Sequence, residues 1–156
     1  MNLIKIFRSY DYQKLAKLNE VVHNLHVKLY PRYFTPYNLL EMEVEFEKLM
    51  KHEQYTFLIL SYENENKGFI FFEILNKPST PFKKPYKSLY VHQLSINESE
   101  QRKGYGQALM EKTQQIAHSE QVDCIELDYW IKNESARQFY RKNNFMLERE
   151  FVRKNI

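Results

Sequence analysis

Hydrophobic and polar positions follow two different periods along this chain, and the changes of period predict its helices and strands. Residues 3–7 are predicted to form a short strand, and Asp11 follows as a candidate helix N-cap. The apolar residues after it recur every three or four positions until Pro31, which ends the helix. These helical positions are Leu15, Leu18, Val22, Leu25 and Leu29.

A second helix is predicted from Thr35 and Pro36 to about Lys51, because Thr suits an N-cap and Pro suits the first turn. Its stretch 41–47 alternates acidic and apolar residues, which taken alone is typical of a strand. The capping signals favour the helix, and one helical face accommodates Leu39, Met42, Phe46 and Leu49.

The middle of the chain carries apolar, aromatic runs of strand length. Residues 55–62 and 69–75 are predicted to form an antiparallel hairpin, joined by the polar turn 63–68 that Gly68 closes. Three prolines then indicate a loop. The loop and a further strand are predicted over 76–85 and 88–96.

The last third alternates helix and strand. A helix containing Ala108 and Ile116 is followed by predicted elements over 122–131 (strand), 133–142 (helix) and 145–152 (strand). The order β-α-α-β-β-β-α-β-α-β predicts an α/β fold with a mixed, largely antiparallel sheet flanked by helices. We expect a single domain over residues 1–156.

Composition and charge exclude several classes of protein. The single cysteine, Cys124, excludes a disulfide framework, and its apolar strand predicts an inert core thiol. No run of about 18 apolar residues is present, and the N-terminus lacks a secretory signal, so we expect a cytoplasmic protein without a membrane partner. The net charge of +3 is too small to indicate nucleic-acid binding.

Glycine is rare, with three residues in the whole chain, and two of them fall in one hexapeptide at 101–106. Gly104 and Gly106 lie between a predicted strand and a predicted helix, beside Arg102 and Lys103. Free N–H groups of a helix start, close backbone approach at glycine and two cations together suit a pyrophosphate. A basic loop that merely starts a helix is the alternative, and the hexapeptide alone leaves both open.

This region resembles the GNAT superfamily of acyl-CoA-dependent N-acetyltransferases. The signature Gln/Arg-x-x-Gly-x-Gly/Ala is matched by Gln101, Gly104 and Gly106, and residues 94–96 are similar to the Leu-x-Val strand that precedes it. Residues 133–145 are similar to the later segment Asn-x-x-Ala-x-x-x-Tyr-x-x-x-Gly-Phe.

Within that later segment the matches are Asn133, Ala136, Tyr140 and Phe145. Asn144 replaces the usual glycine. Asn tolerates left-handed backbone angles, so we expect the turn to be kept.

The resemblance implies acetyl-CoA as co-substrate and no metal. In the family, the fourth and fifth strands splay apart. The resemblance therefore implies that backbone groups of the fourth strand, here residues 94–96, hold the pantetheine. It also implies that N–H groups of residues 102–107 hold the pyrophosphate. Asn133 matches a position that contacts the CoA arm, although Asn there is equally suited to cap a helix. The implied cofactor-binding residues are Leu94, Ser95, Ile96, Gln101, Arg102, Lys103, Gly104, Tyr105, Gly106, Gln107, Asn133 and Tyr140.

The resemblance also implies catalytic roles. Tyr140 matches the usual general acid, a phenol that is protonated at neutral pH, although an aromatic at this helical spacing is also typical of a core. The N–H of Leu94 is the candidate oxyanion donor. His92 and Glu73 are alternative general bases, and ordered water is a third.

The acceptor side is less defined by sequence. In the family, the region between the first two helices forms the acceptor wall, which here contains Tyr30, Tyr33 and Phe34; a packed connector is the alternative. We expect acetyl transfer, by direct attack on the thioester, to a primary amine of a small molecule, peptide or protein. The alternative is a noncatalytic acyl-CoA-binding module. A homodimer is possible, and His23 and His26 are too few to indicate a metal site.

Overall fold

The computed structural model describes residues 3–156, in which five strands form one sheet in the order β1-β2-β3-β4-β5. All neighbouring strands are antiparallel except β4 and β5, which are parallel. This confirms the predicted α/β class with a mixed, largely antiparallel sheet. In chain order the elements are β1 (Ile4–Arg8), α1 (Tyr12–Leu29), α2 (Leu39–Met50), β2 (Tyr55–Tyr62), β3 (Glu65–Lys77), β4 (Tyr86–Ile96), a 3₁₀ turn (Glu98–Glu100), α3 (Tyr105–Ser119), β5 (Cys124–Glu126) and α4 (Glu134–Lys142).

The first two helices begin at side-chain caps. The Asp11 carboxylate accepts from the Lys14 N–H at 3.0 Å, which confirms the predicted cap of α1. The predicted start of α2 at Thr35 is wrong, because Asn38 caps the helix instead by accepting from the Glu41 N–H at 3.0 Å. The Thr35 carbonyl is an acceptor for a His23 ring nitrogen at 2.7 Å and is not part of the helix.

The sheet separates two hydrophobic clusters. On one face, α1 and α2 cover a cluster made of Leu15, Ala16, Leu18, Phe46, Phe57, Ile59, Phe69 and Phe71. On the other face, α3 and α4 cover a cluster that includes Leu58, Leu60, Ile70, Phe72, Leu89, Val91, Leu109 and Tyr140. Because successive strand residues point to opposite faces, the continuous apolar runs of β2 and β3 supply both clusters at once.

The β2–β3 hairpin turns at Glu63 and Asn64, which both have left-handed backbone angles (φ 51° and 66°). Two such residues in succession are typical of a type I′ hairpin turn. The prediction that Gly68 closes the turn is therefore wrong, since Gly68 lies within β3. A Cβ there would be 2.4 Å from the Ser95 carbonyl oxygen on β4. Glycine is needed here for close approach of two backbones.

The β4 strand contains the irregularity that shapes the rest of the molecule. Its register with β3 shifts between Phe71 and Phe72, which pair with Gln93 and Val91 and leave His92 as an extra residue on β4. Such a bulge bends its strand and increases the local twist. The β5 strand pairs with β4 only over Cys124–Glu126, much less than the predicted 122–131. Beyond Tyr90 the two strands diverge.

Two further predictions are wrong at this edge. No strand forms over 145–152, and the whole described segment 145–156 lacks helix or strand pairing. Cys124 is exposed, not a core thiol, because β5 is the edge of the sheet and no element covers it. The turn before this segment is kept as expected, since Asn144 has a left-handed φ of 65°.

We expect Gly68→Ala to lower the free energy of unfolding by about 1–3 kcal/mol, because the added methyl meets a backbone oxygen that cannot move aside. Gly106→Ala is the matched control. Gly106 lies in the first turn of α3 and its Cβ would lie at an ordinary 3.5 Å from the Phe139 ring, so Ala should cause no loss of stability there. Urea titration of both variants measures the difference, and equal stabilities would contradict the close-approach argument.

Candidate functional site

The divergence of β4 from β5 opens a gap between residues 91–96 and 127–131. Half of the backbone N–H and C=O groups of β4 point to β3, and the alternate groups point into this gap, where no strand pairs with them. Leu94, Ser95 and Ile96 form its β4 wall. The Ser95 hydroxyl donates to the Leu18 carbonyl of α1 at 3.2 Å, so Ser95 offers a ligand only its backbone.

At the end of the gap, the loop before α3 adopts a shape suited to an anion. Gly104 is the N-cap of α3 with a φ of 85°, and Arg102 also has a left-handed φ of 63°. Left-handed residues next to ordinary ones turn successive N–H groups toward one point, and the first N–H groups of α3 point the same way. A Cβ at Gly104 would meet no atom within 4 Å, so the space in front of the helix is open.

Of the two cationic side chains beside this cradle, one is held in an ion pair and the other is not. The Lys103 ammonium lies 2.9 Å from the Glu100 carboxylate, whose other oxygen lies 3.1 Å from the buried Lys67 ammonium. Hydrogen bonds from Lys103 and then from Lys67 lower the pKa of Glu100. Within the described chain Arg102 makes no ion pair. Arg102 is therefore the free cation of the loop, whereas Lys103 is already shared.

The other predicted cofactor residues contribute mainly through position. The Gln101 amide donates to the Ile96 carbonyl at 3.2 Å and ties the loop to the end of β4. The Tyr105 ring is buried against Tyr62, and the Gln107 side chain donates to Glu111 at 3.2 Å. At Tyr105 and Gln107 the backbone N–H is thus the group that can face a ligand.

Helix α4 carries Tyr140 into the core beneath the gap. Asn133 caps this helix by accepting from the Ala136 N–H at 3.1 Å, as its alternative prediction states. The Tyr140 ring is 8% exposed and stacks on Tyr129 at a centroid distance of 6.0 Å. Burial, and then the charge of Asp128, raise the pKa of Tyr140. Its hydroxyl has no hydrogen-bond partner among the described residues, so it is a protonated phenol with a free donor.

The two candidate bases lie together on the opposite face of the sheet. His92 Nε2 donates to the Glu73 carboxylate at 2.9 Å, and the imidazole stacks on Phe71 at 4.7 Å. Beside them, the Tyr90 hydroxyl donates to the Asp128 carboxylate at 2.5 Å. Sequence reasoning named His92 and Glu73 as alternatives, whereas the structure makes them one hydrogen-bonded pair.

The predicted acceptor wall also forms a cluster. Tyr30, Tyr33 and Phe34 surround Trp130, with ring centroids 4.6, 5.9 and 5.1 Å from the indole. The Tyr30 hydroxyl accepts from the Lys132 N–H at 2.9 Å. The connector between α1 and α2 is therefore docked on the chain that follows β5, at the far wall of the gap.

Sequence reasoning missed two residues of this site. Asp128 is one of two acidic residues, with Glu126, in the otherwise apolar stretch 125–131, and Trp130 is the one tryptophan of the chain. An acidic residue inside a predicted strand is a signal, but Glu126 gives the same one and is paired in β5. Trp130 offers no signal of its own, because its role depends on a partner loop about a hundred positions away.

A recess of about 420 Å³ lies on the same face of the sheet as His92, beside the first two strands. The Tyr55 ring lines the recess and also contacts the His92 imidazole edge-on, at a centroid distance of 5.7 Å. The remaining lining residues are Arg8, Tyr10, Met50, His52, Glu53 and Phe57. His92 itself does not line the recess, and the Tyr55 ring lies between the two.

The helical histidines have structural contacts. His23 donates to the Thr35 carbonyl, and His26 stacks on Phe34 at 4.9 Å. Burial, and then the charge of His23, lower the pKa of His26. Over residues 3–156, no cluster of three or more His, Cys, Asp or Glu side chains is arranged to hold a metal ion. In the same part of the chain, no helix is both long enough and apolar enough to cross a membrane.

A parallel strand pair that opens beside a helix N-terminus is typical of α/β proteins that bind a nucleotide-containing ligand in the crevice. The chain matches the Acetyltransferase (GNAT) family over residues 4–145. It therefore belongs to the GNAT acetyltransferase family, whose members are acyltransferases that generally use acetyl-CoA.

Solved structures show the same fold. A mutant of the BH1408 protein from Bacillus halodurans superposes with a TM-score of 0.91 at 23% identity, covering 97% of this chain and 99% of that one. A possible acetyltransferase from Clostridium difficile 630 has a TM-score of 0.73 at 15% identity (99% and 98% covered). An aminoglycoside acetyltransferase, meta-AAC0020, from an uncultured soil metagenomic sample has a TM-score of 0.65 at 18% identity (99% and 95% covered).

The pairing of Glu100 with two lysines predicts a pH-dependent contribution to stability. Because the folded state lowers the pKa of this carboxyl, the contribution is complete above the unfolded value of about 4.3 and is lost as the pH falls below it. We expect Glu100→Gln to lower the urea midpoint at pH 7, with the difference from the parent protein narrowing below about pH 4.5. Glu98→Gln is the control, because Glu98 lies on the same 3₁₀ turn but outside any described ion pair. It should leave the urea midpoint unchanged at both neutral and acidic pH.

Proposed function

We propose that this protein transfers an acetyl group from acetyl-CoA to a primary amine by direct attack of the amine on the thioester. The observation that carries the proposal is the gap between β4 and β5, with an anion cradle at its end, a protonated phenol on one face and a His–Glu pair on the other. This arrangement offers separate places for a phosphate, a thioester and an amine.

The residues present fit acetyl-CoA. The N–H groups at the start of α3 and the free Arg102 guanidinium would hold the pyrophosphate, and the left-handed Gly104 leaves room for it. The unpaired backbone edge of residues 91–96 would hold the amide-containing pantetheine arm as a strand holds its neighbour. Acetyl-CoA supplies the activated acyl group, and the N–H of Leu94 is our candidate donor to the oxyanion.

Tyr140 would protonate the departing thiolate. A general acid must carry its proton at the working pH, and the raised pKa of Tyr140 ensures this through the neutral range. After donating, the phenolate regains a proton from solvent. Tyr140 lies in the cluster beneath α3 and α4, so the proton would arrive from that face of the gap.

His92 would accept the proton of the amine. Its Nε2 hydrogen donates to Glu73, so in the neutral ring Nδ1 carries the free lone pair. Glu73 is then a positioning residue that fixes the tautomer and stabilises the imidazolium. The proton passes from the attacking nitrogen to Nδ1, directly or through one water, while the nitrogen–carbon bond forms and the carbon–sulfur bond breaks.

The acceptor would enter from the face of His92. Carboxylates of Glu73 and Asp128 favour an approaching ammonium, and the aromatic wall around Trp130 offers ring faces to a cation. A recess lined by Tyr55 lies on the same face, although His92 does not line it. A structural neighbour is an aminoglycoside acetyltransferase, which is consistent with amine acceptors in general.

The cradle predicts unequal roles for two adjacent cations. We expect Arg102→Ala to weaken CoA binding by about 10-fold or more, the range of a lost charge-assisted hydrogen bond. Lys103→Ala should weaken it less, because Lys103 is engaged by Glu100. Titration calorimetry with CoA measures both, and a larger loss at Lys103 would contradict the assignment.

If Tyr140 is the general acid, its removal should lower turnover without weakening CoA binding. We expect Tyr140→Phe to lower kcat by about 10- to 1000-fold with CoA affinity nearly unchanged, because the ring packing is kept and only the proton donor is removed. Thiol release from acetyl-CoA with a panel of small amines, peptides and lysine-containing proteins provides the assay. Tyr129→Phe, which alters the stacked neighbour, is the control.

Two outcomes would contradict this proposal. Unchanged kcat in Tyr140→Phe removes this phenol from the mechanism. Tight CoA binding without thiol release for every amine in the panel overturns the transferase and favours a noncatalytic acyl-CoA-binding module.

A further inference from the structure

A chain of ion pairs joins the β2–β3 hairpin to the anion cradle before α3. The Lys67 ammonium on β3 lies 2.6 Å from the Glu65 carboxylate and 3.1 Å from one oxygen of the Glu100 carboxylate. The other Glu100 oxygen lies 2.9 Å from the Lys103 ammonium. One carboxylate is therefore shared between a cation of the hairpin and a cation of the cradle.

The two cations differ in how firmly they are held. The side chain of Lys67 is 10% exposed, and its hydrogen bonds to Glu65 and then to Glu100 raise the pKa of Lys67, so this ammonium stays charged. The side chain of Lys103 is 53% exposed. An exposed ion pair is weak because water and salt screen it, whereas a buried cation loses its carboxylate only at a large cost. Lys103 is thus the partner that can leave Glu100.

Backbone contacts anchor Glu100 on the hairpin side. The Asn97 N–H donates to the Lys67 carbonyl at 2.9 Å, and the Asn97 side-chain amide donates to the Asn66 carbonyl at 3.0 Å. The 3₁₀ turn that follows Asn97 carries Glu100, whose side chain is 17% exposed. Glu100 therefore stays in place when the Lys103 side chain moves.

A phosphate in the cradle needs the same ammonium. Lys103 directly precedes Gly104, the N-cap of α3, so it lies beside the N–H groups that would hold the phosphate. The ammonium already donates to Glu100 at 2.9 Å, and the carboxylate offsets its charge. An anion that enters the cradle thus meets a cation that is already in use.

We propose that Glu100 sets the affinity of the cradle by competing with the ligand's phosphate for Lys103. In the free protein Lys103 is paired with Glu100. On binding, the ammonium turns to the phosphate, and the carboxylate remains with Lys67. Lys67 is a positioning residue that acts through Glu100, because its charge offsets the carboxylate and weakens the hold on Lys103. The inference rests on the proposed binding of CoA at this loop, but not on acetyl transfer.

The competition predicts tighter binding when the carboxylate is removed. We expect Glu100→Gln to lower the Kd for CoA by about 2- to 5-fold, the equivalent of one exposed ion pair. Glutamine keeps the shape of the side chain and can still accept from Lys67. Glu98→Gln is the matched control, because it removes the same charge from the same 3₁₀ turn without breaking a described ion pair, and it should change the Kd less. Titration calorimetry with CoA measures both.

A double-mutant cycle separates competition from the general effect of a negative charge. In a Lys103→Ala background no ammonium is left to release, so Glu100→Gln should lower the Kd less than it does in the parent protein. If Glu100 acted only through its field, the gain would be at least as large without Lys103, because the carboxylate would then be less neutralised.

Replacement of Lys67 should change the affinity in the opposite direction. We expect Lys67→Met to raise the Kd for CoA, because Glu100 then holds Lys103 more strongly. Lys67→Arg keeps the charge and should restore a Kd near that of the parent protein. In a network with only a structural role, loss of Glu100 and loss of Lys67 would both weaken binding. Circular dichroism checks the fold of each variant, and the Glu100 cycle decides by itself if Lys67→Met does not fold.

Two results would overturn this inference and leave the proposed function intact. In the first, the parent protein binds CoA, but Glu100→Gln binds it no more tightly than Glu98→Gln does. In the second, the gain from Glu100→Gln is as large in the Lys103→Ala background as in the parent. A parent protein that does not bind CoA at all overturns the cradle, and with it both proposals.

Discussion

The bulge at His92 is the constraint on which the other features of this molecule depend. One extra residue on β4 shifts its register with β3 and bends the strand, and beyond Tyr90 β4 no longer pairs with β5. The backbone groups that this divergence leaves unpaired lie in a largely apolar setting, where unsatisfied N–H and C=O groups are costly. Under our proposal, the amide groups of a bound ligand would relieve that cost on the β4 side.

The two candidate catalytic side chains lie on opposite faces of the sheet beside this divergence. Tyr140 belongs to the cluster under α3 and α4, whereas His92 stacks on Phe71 in the other layer. In a fully paired sheet these two side chains would be separated by a continuous layer of backbone. The gap removes that layer, so in our proposal Tyr140 and His92 would address one bond from opposite sides. Asp128, between them on the far wall, influences both Tyr90 and Tyr140.

Local residue choices support the site in ways that a sequence can reveal. Gly104 and Asn144 both stand where the backbone is left-handed, and Asp11 and Asn133 both cap helices. These features depend on interactions within a few residues, so their signals are present in the sequence. The class of fold, the position of the anion cradle and the identity of the α4 tyrosine could be predicted for that reason, with the family signatures adding the chemistry.

The sequence by itself determined the helices, the inner strands and the loop at 101–106, because periodicity, capping and left-handed turns are local. Only the tertiary structure decided the function of Gly68, the pairing of His92 with Glu73 and the meeting of the 30–34 connector with Trp130, since each joins residues far apart in the chain. It also decided that 127–131 and 145–152 remain unpaired despite strand-like patterns. A strand exists only with a neighbour, and whether a neighbour is present is not encoded in the segment itself.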